Sequence, residues 1–400
     1  MKRTALLLAL MSALTASAQM WKGLATSDPV IDTTDVKALK VELDNLSFFR
    51  DNEYTSNQTN GYSLPGLWLQ PKLIYVAHKM VRLELGLHAL IFNGANKYPC
   101  YAYHDIATWK GSQYQSGAHL LPWFRAQFEF NNVDIILGDI YGGENHGLIE
   151  PLFNTETNLS QDPEMGLQIL WRRPHLRADI WLNWQSYIFK ESTHQEAFTV
   201  GSTWRVLLNN EEKRTHWYLP VQLMIQHRGG EQDVESLNLG VQTICNLSAG
   251  VGVRHRFYRP CLTHIAGEVN AIGAYQQAGK LWPFKTGFAL HAAGEVMLWD
   301  SWRLRLGHVA APKHFISLYG NPLFNTVSQL DNELTYKGAQ TTYLRTDYGR
   351  TVAKHYTFGG ELEIFKSWLG KSADTKRSEF NFAFGVYIRV NPSFLIKRFK

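Results

Sequence analysis

EFNFAFGVYIRVN, residues 379–391, divides into two faces without exception. Phe380, Phe382, Phe384, Val386, Ile388 and Val390 fall on one side, and Asn381, Ala383, Gly385, Tyr387, Arg389 and Asn391 on the other. Side chains alternate across a β-strand with period two, so this segment sets six large apolar groups against something greasy and its polar set against something wet. A protein core and a lipid bilayer would each serve as the greasy side, and the rest of the chain decides between them.

Period-two segments recur from end to end. Val81, Leu83, Leu85, Leu87, Ala89 and Ile91 alternate with Arg82, Glu84, Gly86 and His88; Leu176, Ala178, Ile180, Leu182 and Trp184 alternate with Arg177, Asp179, Trp181, Asn183 and Gln185. Trp217 to Gln226 repeats the pattern, as do Phe124 to Phe130, Val200 to Leu208, Val251 to Phe257, Phe284 to Leu298 and Tyr356 to Ile364. No comparable stretch repeats apolar residues at helical spacing, so the chain is all-β.

Three features select the bilayer. The apolar faces persist for about ten residues, the length of a tilted membrane strand, where soluble strands stop at about five or six. Aromatics such as Trp68, Trp123, Trp171, Trp184, Trp217, Trp299, Trp302 and Trp368 stand near segment ends, as girdles at the two interfaces require. The opposite faces carry Arg82, Glu84, Arg125, Arg177, Asp179, Arg205, Arg254, Arg256, Glu268, Glu295, Arg303, Arg305 and Arg389. Those charges would be prohibitively costly in a dry core and stay hydrated along an aqueous lumen, so they are the candidate pore-lining residues.

The connections are unequal. Ala77-His78-Lys79, Asn131-Asn132, Arg173-Pro174 and Asp300-Ser301 are tight, whereas Asn93 to Ser116, Tyr141 to Pro163 and Pro312 to Asp331 are long. Short turns at one rim and long extracellular loops at the other are the habit of outer-membrane barrels. An internal echo fixes the register: Phe128 to Gly143 leads into Pro151-Leu152-Phe153-Asn154-Thr155, and Glu295 to Pro312 leads into Pro322-Leu323-Phe324-Asn325-Thr326. Both long loops therefore leave from one rim. A bacterial single-chain barrel has an even strand number, so Leu237 to Phe257 is read as one long strand running through Asn246-Leu247-Ser248. That yields an antiparallel up-and-down transmembrane barrel of about 16 strands (roughly 14–18), with no residues left for a plug domain.

At the N-terminus, Lys2 and Arg3 precede an apolar run from Ala5 to Leu14 and a small-x-small site at Ala16-Ser17-Ala18, the layout of a secretory signal peptide. The expected division is a signal peptide at 1–18, a periplasmic N-terminal segment at 19–35, the barrel at 36–391 and a C-terminal tail at 392–400. A net charge of +5 argues only weakly for anionic partners. Cys100, Cys245 and Cys261 lack paired spacing, which disfavours a disulfide framework and a zinc site.

With its exported start, alternating strands, aromatic segment ends and lack of a plug, the chain resembles the porin-like outer-membrane proteins of Gram-negative bacteria. The resemblance implies outer-membrane lipid around the barrel and recognition of the Phe380 strand by the barrel-assembly machinery, although Pro392 and the final Lys400 depart from the usual terminal signal. It also implies small solutes as cargo. Phosphate loops, HExxH helices and the GxSxG turn are absent. Glu144, His146 and Glu150 are the nearest approach to a cluster, and are read as part of a polar loop. The expectation is a passive diffusion channel, mildly anion-preferring through Arg254, Arg256, Arg303 and Arg305, with no catalytic residues, cofactor, metal or nucleic-acid partner, and not an enzyme. The alternative is a closed barrel with a structural or surface-binding role, and behind it an outer-membrane hydrolase.

Overall fold

The computed structural model describes residues 20–92, 117–186, 195–230, 240–259, 261–331, 333–370 and 378–400. Residues 1–19, which include the expected signal peptide, and the whole aromatic loop from Asn93 to Ser116 therefore lie outside the described residues.

Sixteen strands close into one antiparallel barrel. They are β1 (Ala38–Thr55), β2 (Asn60–His78), β3 (Val81–Phe92), β4 (Gly117–Phe130), β5 (Val133–Asp139), β6 (Met165–Arg173), β7 (Leu176–Ser186) and β8 (Ala197–Leu207). The second half comprises β9 (Thr215–Arg228), β10 (Gln242–Arg256), β11 (His264–Ala278), β12 (Thr286–Leu298), β13 (Trp302–Ala311), β14 (Ala339–Ala353), β15 (Tyr356–Leu369) and β16 (Ser378–Val390). Each strand pairs with its sequence neighbours, and β1 pairs with β16 to complete the ring. As expected, β10 runs unbroken through Asn246-Leu247-Ser248.

The alternation has the sense read from the sequence. Phe380, Val386 and Ile388 are each more than half exposed on the outer wall, whereas Asn381, Ala383, Tyr387 and Arg389 are buried inside. The tight turns use left-handed backbone where they reverse the chain: Asn131 has φ 53°, and Trp299 and Asp300 have φ 50° and 54°, the geometry of short hairpins. The four tight turns read from the sequence share one rim with both chain ends, and both Pro-Leu-Phe-Asn-Thr loops leave from the other, as does the short β1–β2 connection at 56–59.

The two chain ends are more ordered than their sequence suggests. Residues 393–398, read from sequence as tail, form β17 (Ser393–Arg398), which continues the line of β16 along β1. Pro392 interrupts the ladder because it has no N–H, yet its carbonyl still accepts from Leu43 N at 3.0 Å. At the other end, α1 (Met20–Leu24) turns into the lumen from the tight-turn rim, with Met20, Trp21 and Leu24 fully buried. The indole N–H of Trp21 donates to Glu361 at 2.9 Å, and Arg389 donates to the carbonyls of Gly23 and Thr26 at 3.2 and 2.8 Å.

There is no separate plug domain among the described residues; the loops fill the barrel instead. Ile140, Ile149, Leu152, Phe315, Leu318, Leu323, Phe324 and Val327 form one apolar cluster with inward-facing wall residues from around the ring, including Tyr54, Trp181, Ile244, Ile272, Tyr343 and Phe365. The long-loop half of the lumen is therefore packed like a protein core.

Candidate functional site

Every candidate pore-lining residue occupies an inward-facing strand position, but most are consumed in ion pairs. Glu84 meets Arg82 at 2.9 Å, Arg125 at 3.4 Å and the Trp123 indole at 3.2 Å. Arg125 also lies against the Tyr141 ring at 3.9 Å, tethering the start of the inward loop. Arg303 bonds Asp347 at 2.7 Å, Arg305 bonds Glu295 at 3.1 Å and Glu150 at 3.0 Å, and Arg389 bonds Asp44 at 2.7 Å. Arg177 meets Glu211 at 3.0 Å, and Arg256 reaches the Glu211 carbonyl at 3.4 Å, both near the tight-turn rim. Glu268 accepts from the Tyr218 hydroxyl at 2.8 Å, and Arg205 stacks on the Tyr218 ring at 4.2 Å. Arg205, Arg254, Glu268, Glu295, Arg303 and Arg305 border an interior cavity of about 480 Å³.

Glu361 and Glu363 also fall on inward faces in the sequence, but their partners do not show there. Arg50, wholly buried, pairs with Glu361 and Glu363, and Arg345 donates to Glu361 at 3.0 Å. The alternation of Tyr343, Arg345 and Asp347 against Leu344, Thr346 and Tyr348 would have found part of this set.

Glu144, His146 and Glu150 do not converge. Glu150 goes to Arg305; burial is the largest single influence and would raise its carboxyl, but Arg305 and the other neighbouring positive groups together outweigh it and hold it down at about 2. Glu144 borders the cavity, and burial pushes its carboxyl up to about 7 against the pull of Arg303 and Arg345. His146 stacks on Trp181 at 3.6 Å and donates from Nδ1 to Asp179 at 2.7 Å and from Nε2 to Glu164 at 3.2 Å. Burial alone would lower the imidazole, but the two carboxylates outweigh it and hold it up at about 10. With both nitrogens engaged, His146 is a cationic clamp and not a base. No cluster of His, Cys, Asp and Glu among the described residues is arranged to hold a metal ion.

A second arrangement lies on the outer wall, where polar groups are out of place. His308 of β13 and Thr342 of β14 occupy outward positions as direct cross-strand partners, with His308 Nδ1 at 2.9 Å from Thr342 Oγ1. Lys366 of β15 is the next residue in that row. His308 and Thr342 border an outer groove of about 530 Å³, whose other walls include Val251, Gly267, Val269, Ala292, Gly294 and Leu306. Gly267 and Gly294 are cross-strand partners, so the absence of two side chains makes the hollow. Both polar residues stand three positions from the long-loop ends of their strands, at the level of the outer leaflet in a barrel whose long loops face outside the cell.

Two other His–Thr pairs, His227 with Thr243 at 2.8 Å and His255 with Thr215 at 2.6 Å, occupy outward positions near the rims. Neither borders this groove.

Fold and wall chemistry together define an outer-membrane β-barrel with an apolar outer surface and a filled lumen. The chain belongs to the lipid A 3'-O-deacylase-type family, whose model matches residues 31–399. This corrects the expectation that the protein is not an enzyme. The chain carries no compact catalytic motif, but a barrel wall can assemble a site from residues on separate strands.

No curated protein matches the chain. Among solved structures it is similar to the outer membrane protein OprD from Pseudomonas aeruginosa, at 9% identity and a TM-score of 0.46 over 93% of this chain and 98% of that one. It is also similar to OccAB3 of Acinetobacter baumannii, at 10% identity and a TM-score of 0.48 over 89% and 99%. A third is OpdK of Pseudomonas aeruginosa with vanillate, at 11% identity and 0.47 over 90% and 100%.

Proposed function

We propose that the protein is an outer-membrane ester hydrolase that removes an acyl chain from a lipid of the outer leaflet, working from the lipid-facing wall. The observation that carries this reading is the His308–Thr342 pair beside an apolar groove, in a chain of the deacylase-type family. The groove suits a hydrocarbon chain, and the pair sits where an ester at the head of that chain would lie.

The chemistry follows from the donor set. Thr342 Oγ1 attacks the ester carbonyl while His308 Nδ1 takes its proton; the carbon–oxygen bond to the alcohol breaks, and His308 returns the proton to the departing oxygen. Water then cleaves the acyl-threonine by the same proton path. Lys366, next in the row, supplies positive charge to the tetrahedral oxyanion.

The test is to incubate purified barrel with lipid A in detergent micelles and measure released fatty acid by mass spectrometry, comparing wild type with Thr342→Ala. Release by wild type and its loss in the variant are expected. Equal release by both would remove Thr342 from the chemistry, and no release by wild type on any acylated lipid would remove the hydrolase reading.

An open diffusion channel is the weaker reading, because the packed loop cluster occupies the lumen in its long-loop half.

A further inference from the structure

The interior arginines divide into two groups. Arg303, Arg305, Arg345 and Arg389 each lie within ion-pair distance of a carboxylate. Arg205 and Arg254 have no such partner among the described residues, and Arg254 Nε is buried with nothing to donate to. Both border the cavity of about 480 Å³ on the side toward the tight turns.

The wall is built to hold them this way. Tyr218 of β9 lies flat across Gly252 of β10, where a Cβ would come within 2.2 Å of the ring. From there its hydroxyl reaches Glu268 on β11 at 2.8 Å, while Asn270 donates to the other carboxylate oxygen at 2.8 Å. Both Glu268 oxygens are thus engaged by neutral donors, and Glu268 makes no ion pair with either arginine among the described residues. Arg205 rests on the Tyr218 ring at 4.2 Å, which fixes its guanidinium without satisfying its charge. Two other carboxylates of the cavity are committed to different partners: Glu211 to Arg177, and Glu295 to His264 and Arg305. Two guanidiniums that border one cavity, neither in ion-pair contact with a carboxylate, leave donors for an added anion.

We infer that Arg205 and Arg254 form an anion site in the vestibule below the loop cluster, taking a phosphate group that enters from the tight-turn, periplasmic side. Planar guanidiniums match phosphate oxygens in paired hydrogen bonds, and the cavity has room for phosphate alone or for a small phosphomonoester. The site lies inside the barrel and the proposed hydrolytic groove outside it, so the two readings stand independently.

The experiment is calorimetric titration of the detergent-solubilised full barrel with inorganic phosphate, and separately with glycerol phosphate, for wild type, Arg205→Gln, Arg254→Gln and Arg173→Gln, the last an exposed rim arginine outside the cavity. Heat-modifiable gel mobility confirms that each variant is a folded barrel. The expected result is saturable binding near one equivalent, weakened about tenfold or more by either vestibule substitution and unchanged in Arg173→Gln. Preference between the two probes distinguishes free phosphate from an esterified group. Absence of saturable binding to wild type, or binding that survives both vestibule substitutions, or equal weakening in Arg173→Gln, would overturn the assignment.

Discussion

The backbone N–H of Asn154 donates to the carbonyl of Tyr319 across 2.7 Å, joining the two Pro-Leu-Phe-Asn-Thr loops inside the barrel. Each copy turns its apolar residues into the same packed cluster, so the sequence echo marks two halves of one closure. Gly320 makes the approach possible, because a Cβ there would lie 2.0 Å from the Pro151 carbonyl oxygen.

Gly320→Val should therefore push the loops apart. In planar bilayers the wild-type barrel is expected to show little conductance and the variant larger, noisier currents. Overpacking should also lower thermal stability, by about 1–3 kcal/mol. A wild-type barrel that conducts as freely as the variant would mean that these loops do not set the barrier.

On the outer wall, the recurrence of His–Thr pairs supplies an internal control. His308→Ala should lower the rate of fatty-acid release about a hundredfold or more, the usual scale for a lost general base. His227→Ala, which removes the same kind of cross-strand pair away from the groove, should leave the rate unchanged. Lys366→Gln should reduce kcat more than it raises KM if its charge acts on the oxyanion. Equal losses in His308→Ala and His227→Ala would indicate that such pairs only mask polar groups from lipid.

His146 makes stability depend on pH with a definite sign. Its folded value of about 10 lies above the ordinary imidazole value of 6.5, so the folded state binds a proton more tightly than the unfolded chain. The stabilisation is fully present below about pH 6.5 and is lost as pH rises through about 10. Guanidinium-induced unfolding of wild type should become easier across that window. His146→Gln should be less stable at pH 6, by about 3–5 kcal/mol for a broken buried pair, and should show a flatter profile. A parallel slope in both proteins would exclude the clamp as its source.

The barrel itself was legible because its physics is periodic: residues such as Phe384 and Tyr387 differ in environment simply by falling on opposite sides of a strand. The merging of Leu237 to Phe257 followed from the even strand number, and the common rim of the two loops from their matching motifs. The ion pairs were not legible. Arg305 meets Glu150 from a loop, and Arg50 meets Glu361 from the far end of the chain, contacts that only closure of the ring creates. His308 and Thr342 were hidden for another reason. Each interrupts an otherwise apolar face, and they become a pair only through the register of β13 against β14.

The N-terminal helix was equally invisible, since Met20-Trp21-Lys22-Gly23-Leu24 is too short to show a period. Its seat is the cross-strand pair Gly349 and Gly359, which leaves the inner wall flat where Met20 lies. A Cβ on Gly349 would be 2.6 Å from Met20 Cα, so Gly349→Val should exclude the helix while leaving the outward lipid face untouched. Once displaced, the chain around Lys22 should become open to trypsin, because proteases require an extended, accessible segment. Intact-mass measurement after brief digestion should show cleavage after Lys22 in the variant and protection in wild type. Trp21→Phe separates packing from hydrogen bonding: it should keep the helix seated yet leave Glu361 short of one donor, lowering stability by about 1–3 kcal/mol. If wild type is cut at Lys22 as fast as Gly349→Val, the helix does not hold its place in the lumen, and the hydrogen bonds of Arg389 to Gly23 and Thr26 do not secure it.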